Sequence, residues 1–156
     1  MANFIKDTDL LNQIKAYLDS SIDSNRISAN YLFSPQENAA YPFTVIYLST
    51  GDEDVEEIDY SGNETVSVSI EIHTPVEKTH TTVERNENTQ RLMLATDALR
   101  EQVMRKTFID TLRTNLQSST LRFGGTSRSY GTLAVGAKTF ITSTITISII
   151  IYNSYE

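Results

Sequence analysis

The chain has 156 residues, enough for one domain that buries a core without disulfide or metal staples. It contains no cysteine, which excludes disulfide bonds, thiolate zinc centres and cysteine nucleophiles. Its net charge of −7 is unevenly spread: residues 1–84 hold four Lys/Arg against fifteen Asp/Glu, or −11, and residues 85–156 hold nine against five, or +4.

The acidic total weighs against free nucleic-acid binding, which draws its affinity from Lys/Arg on phosphates. The two complementary halves either pair within one subunit or set one subunit's acidic face against a neighbour's basic face. No apolar run approaches a membrane span, and the opening MANFIKDTDLL lacks the basic and apolar regions of a signal peptide. The expectation is a protein with no membrane partner, made in a cytoplasm and used there or carried in a particle assembled there.

In chain order, Phe4, Ile5, Leu10, Leu11, Ile14, Tyr17, Leu18 and Ile22 follow a helical stripe and predict a helix over 5–24. A loop is expected from there to Pro42, because proline disfavours helix in the residue before it. Residues 43–50 (FTVIYLST) read as a strand covered on both sides and ended by Gly51. Residues 52–59 (DEDVEEID) form a dense carboxylate run, and Ser61-Gly62-Asn63 reads as a turn. Residues 65–73 (TVSVSIEIH) alternate strictly, with Val66, Val68, Ile70 and Ile72 inward, so strand, acidic segment and strand are expected to form an antiparallel meander.

Residues 74–88 are polar, contain Pro75 and predict a loop. Leu92, Ala95, Thr96, Leu99 and Val103 predict a second helix over 89–106, with Arg105 and Lys106 placed where its dipole favours cations. Phe108, Ile109, Leu112 and Leu116 keep the helical period, as a kinked continuation or a short third helix. Residues 120–123 begin a strand. Residues 124–138 hold four of the six glycines and form either a flexible excursion or the tip of a long hairpin.

The return arm of that hairpin is 139–152 (TFITSTITISIIIY), with Ile141, Ile145, Ile147, Ile149 and Ile151 on one face and Thr142, Thr144, Thr146 and Ser148 on the other. At about 3.3 Å per residue it spans roughly 45 Å, longer than a small core needs. Such a strand requires a neighbour along its overhang, because an unpaired β-rich edge invites association. Its hydroxyl face is either solvated or a partner interface. The whole reads as one α+β domain over 1–156, a mixed or antiparallel sheet with two main helices on one face and a long C-terminal β-hairpin.

Candidate chemistry is sparse. Asp52, Glu53, Asp54, Glu56 and Glu57 lack the bend glycine and ligand alternation of a calcium loop, so a solvated or partner-facing acidic loop is the expectation. His73 and His80 lack HExxH spacing and read as solvated rather than ligating. No GxSxG elbow, GxxxxGK[ST] or GxGxxG surrounds any serine or glycine. Neither catalysis nor a cofactor is called for. Tyr31, Phe33 and Tyr41 read mainly as core, with a partner anchor as the other use.

The order of an N-terminal helix, a first strand YPFTVIYL, an alternating strand, a central helix TQRLMLATDALREQV and a closing hairpin ending TSTITISIIIY resembles the tail terminator or tail-completion proteins of long-tailed bacteriophages, the U-like family of phage lambda. The resemblance covers about residues 5–153. It implies a small α+β subunit without an active site that forms a ring, usually of six copies, at the head-proximal end of the tail. Such a ring caps the tail-tube protein and meets the head-completion or neck protein, and genomic DNA only passes through it. It implies a place in the virion, with host cytoplasm as the site of assembly. The acidic run and the glycine-rich segment depart from short members of that family.

Rings need heterologous contacts that close by rotation, and complementary halves with an overlong strand suit them. The candidate subunit-facing or channel-facing residues are Asp52, Glu53, Asp54, Glu56 and Glu57 on the acidic side and Arg113, Arg122, Arg128 and Lys138 on the basic side. An acidic channel lining would repel passing DNA. The competing readings are a neck or minor capsid protein, a tail-tube subunit, an adaptor that binds by strand addition, and a carboxylate-metal hydrolase.

Overall fold

The computed structural model describes residues 4–36, 39–56, 61–76, 81–135 and 138–154, with the side chains of 50, 52–56, 61, 135, 153 and 154 outside that description. The elements run α1 (Asp7–Ser21), β1 (Ala29–Leu32), β2 (Phe43–Glu56), β3 (Ser61–Val76), α2 (Thr82–Val103), α3 (Lys106–Asn115), β4 (Arg122–Val135) and β5 (Lys138–Ser154). The fold is α+β, with one mixed five-stranded sheet in the order β1-β2-β3-β5-β4. β1 is parallel to β2, and every other pair is antiparallel.

One face of the sheet carries the helices. Val66, Val68, Ile70 and Ile72 of β3 and Ile145, Ile147, Ile149 and Ile151 of β5 alternate onto that face and are buried, as their period-two pattern requires. They share one core with Leu92, Leu99 and Val103 of α2 and with Leu10, Leu11, Ile14 and Leu18 of α1. Ser143 interrupts the isoleucine series, and Thr96 answers it from α2 with a buried hydrogen bond of 2.8 Å. Thr96 Oγ1 also donates to the Leu92 carbonyl at 2.7 Å, so the polar pair is satisfied where it is most deeply buried.

α1 begins two residues later and ends three earlier than expected, with Asp7 and Asp9 in a first turn that favours negative charge. α3 is a separate helix. α2 closes at Met104, Arg105 is extended at ψ 143°, and Phe108 then packs edge-on against Tyr17 at 5.1 Å between ring centroids. Lys106 therefore opens α3 instead of closing α2, and Asp110 lies 3.5 Å from it one turn on.

Four expectations are corrected. The segment before Pro42 contains β1, which is only four residues long and gains its order from pairing with β2. β2 does not stop at Gly51: it continues through Asp52, Glu53, Asp54 and Glu56, paired residue by residue with β3. Ser61-Gly62-Asn63 is the start of β3, not a turn, and residues 57–60 lie outside the described residues. The polar stretch 74–88 is strand, helix cap and helix where it is described, and residues 77–80 lie outside the described residues. β3 runs to Val76, and α2 starts at Thr82, where the Thr81 side chain accepts a hydrogen bond from the Glu84 amide at 3.2 Å. The alternative left open for residues 124–138 resolves to the long hairpin, with 124–135 in its outgoing arm.

Candidate functional site

The face of the sheet away from the helices has two zones. At one end Phe43, His73 and Phe140 are buried beneath Tyr41 and beside Phe33, forming a second, smaller apolar cluster. His73 stacks on Phe43 at 4.9 Å with planes 20° apart, and Phe140 meets it edge-on at 5.7 Å. The Tyr41–Pro42 bond is cis. His73 Nε2 lies 2.7 Å from Glu71 Oε1, but it has no well-aligned hydrogen bond. Tyr47 donates from its hydroxyl to Glu71 Oε2 at 3.3 Å.

Burial lowers the pKa of His73, and the Glu71 carboxylate works in the opposite direction. Burial and then the same carboxylate raise the pKa of Tyr47. At neutral pH the cluster therefore presents a neutral imidazole, a neutral phenol and one carboxylate. The imidazole is wedged between two phenyl rings and contributes to their packing.

Beyond this cluster the same face becomes a row of small hydroxyls. Ser49 and Ser69 are hydrogen-bonded, and Ser69 Oγ lies 3.1 Å from Thr146 Oγ1. Ser127 faces Thr146 and Ser129 faces Thr144 across the hairpin, so the hydroxyls continue onto β4.

The two edges of the sheet are the other distinctive surface. β1 covers β2 only from Phe43 to Ile46, which leaves the outer edge of β2 free from Tyr47 onward among the described strands. β4 is the opposite edge over all its 14 residues, and residues 126–134 are exposed. Open edges of this length are templates for another strand.

The candidate residues sort onto these edges. Asp52, Glu53, Asp54 and Glu56 lie on the free part of β2, while Glu57 lies outside the described residues. Arg122 and Arg128 are exposed on β4, and Lys138 is exposed at the start of β5. Arg113 does not join them. Its Nε donates to the Leu121 carbonyl at 2.7 Å and its Nη1 to Asp110 at 3.2 Å, so it ties α3 to the entry of β4. Among the described residues the structure sets Asp52, Glu53, Asp54 and Glu56 on the β2 edge and Arg122 and Arg128 on the opposite β4 edge, while Lys138 lies on the inner strand β5 and Arg113 on α3.

The reading of His73 as solvated is overturned, and His80 lies outside the described residues. Sequence reasoning missed the cluster of Tyr47, Glu71 and His73 because the outward positions of the alternating strand 65–73 read as solvent-facing, although 43–50 read as covered on both sides. The available signal was parity: Phe43 and Phe140 fall on that outward face too. Among the described residues no group of three or more His, Cys, Asp or Glu is placed to hold a metal ion, and no helix is long and apolar enough to cross a membrane. No protein-family model matches the chain, and comparison with curated proteins finds no significant match.

Proposed function

We propose that the chain is a structural, non-enzymatic subunit that assembles head to tail into a closed ring of the tail-terminator kind, six copies capping a phage tail tube and joining it to head-completion proteins. The observation that carries this reading is the pair of open sheet edges of opposite charge, acidic on β2 and basic on β4, at the two ends of one continuous sheet. Edges that differ from each other bind heterologously, and heterologous contacts close into rings when the rotation between copies divides the circle. The hydroxyl-lined, helix-free face suits a channel wall, because it offers passing DNA no row of cations to hold it.

Native mass spectrometry and sedimentation across a concentration series, with and without tail-tube protein, test the reading. The expected species is a discrete multiple of the 17.5 kDa chain, with six copies at saturation. Open-ended filaments would replace the terminator reading by that of a tube subunit. A monomer under every condition would remove the ring.

A further inference from the structure

We propose that the ring contact is itself strand addition: residues 122–127 of β4 in one copy pair antiparallel with residues 47–52 on the free stretch of β2 in the next, with Arg122 in the row of Asp52 and Ser127 in the row of Tyr47. The inference rests on the ring reading and adds the partner surface and its register.

Strand direction comes first. β2 and β5 are each antiparallel to β3 and so run the same way, and β4 runs against them. When two copies share one orientation, the β4 edge of the first meets the β2 edge of the second with opposed directions. The new pair is therefore antiparallel, the pairing used elsewhere between neighbours in this sheet except at β1. Helices stay on one side and hydroxyls on the other.

Register follows from rows that cross the sheet. One row runs Asp52, Thr65, Ile150, Arg122, so an unstaggered neighbour sets the Arg122 position next to Asp52. Another runs Tyr47, Ser69, Thr146, Ser127, so the same neighbour sets the Ser127 position next to Tyr47. Both edges also carry a bulge at nearly the same level, between Leu48 and Thr50 on β2 and between Phe123 and Gly125 on β4. Bulges bend and twist a strand, so two edges bent at one level keep a matching course.

Charge then chooses between copies. A twofold dimer joining β4 to β4 would also be antiparallel, but it would bring two basic strands together, and β2 to β2 would oppose two acidic stretches. Like charges across a strand pair destabilise it, whereas β4 on β2 sets basic against acidic.

The chain has no cysteine, so disulfide trapping reads the contact without background. Tyr47 is half-buried and Ser127 exposed, and a thermal melt of each Cys variant checks that the fold is kept. Mixing Tyr47→Cys protein with Ser127→Cys protein under mild oxidation is expected to give covalent mixed dimers, while neither protein alone does. The double variant is expected to give a ladder ending at the ring. Rings that form by sedimentation but yield no mixed dimer overturn the strand pairing and leave the ring reading standing. Dimers from Ser127→Cys alone overturn it in favour of the twofold contact. If no oligomer forms at all, the ring reading itself fails.

Discussion

Burial between two phenyl rings makes His73 a proton-linked residue. Its unfolded form takes up a proton near pH 6.5 and its folded form only at lower pH, so within that window the unfolded chain binds more protons. Stability therefore rises with pH there. The contribution is complete above 6.5 and is lost as the pH falls from 6.5 toward the folded value. Urea midpoints at pH 7.5 and 5.5 are expected to show this drop in the wild type and a smaller one in His73→Phe, which keeps a ring against Phe43 and Phe140. An equal drop in both would assign the pH dependence to other groups. The pairing of Thr96 with Ser143 was half-visible beforehand: Thr96 stood on the helical stripe and Ser143 broke the isoleucine alternation, but only packing of α2 onto β5 brings them together.

At the scale of elements, the buried stripes do the holding. Leu99 and Ile147 are both fully buried in the shared core, and replacing either with alanine is expected to cost about 2–5 kcal/mol of unfolding free energy. Unchanged denaturant midpoints would refute that core. The elements read most clearly from the sequence, β3, β5 and the second half of α2, are those whose apolar period matches their burial. β1 was illegible because four residues carry too little pattern, and its order comes from a neighbour far along the chain. The acidic half of β2 was illegible for a different reason. Carboxylates are poor strand formers and Glu53 even stands opposite Glu64, so pairing with β3 overrides local preference. The start of α2 did have a signal, Thr81 followed three residues later by Glu84, a cap pattern that the polar surroundings concealed.

For the whole molecule, the charge asymmetry was legible as a difference between halves of the chain, but its meaning depended on strand order. Because β5 inserts between β3 and β4, the basic strand ends at the edge opposite the acidic one. Reversal of both Arg122 and Arg128 to glutamate is expected to weaken assembly severalfold at low ionic strength. Added salt is expected to narrow the gap between variant and wild type, since exposed charges are screened within about 8–10 Å at physiological ionic strength. Wild-type rings are expected to persist in salt, because main-chain pairing along the edges does not depend on it. Sedimentation across a salt series checks both, and assembly indifferent to reversal would remove the electrostatic selection. The same insertion of β5 also sets the order of events in biosynthesis. β3 must wait through α2, α3 and β4 for the partner that covers its second side, which makes the sheet rich in non-local contacts and slow to complete. During synthesis β4 leaves the ribosome before β5 and has no place in the sheet until that strand arrives. If the proposed ring contact holds, a subunit acquires its basic edge only as its own folding finishes, so half-made chains cannot offer that edge to a neighbour.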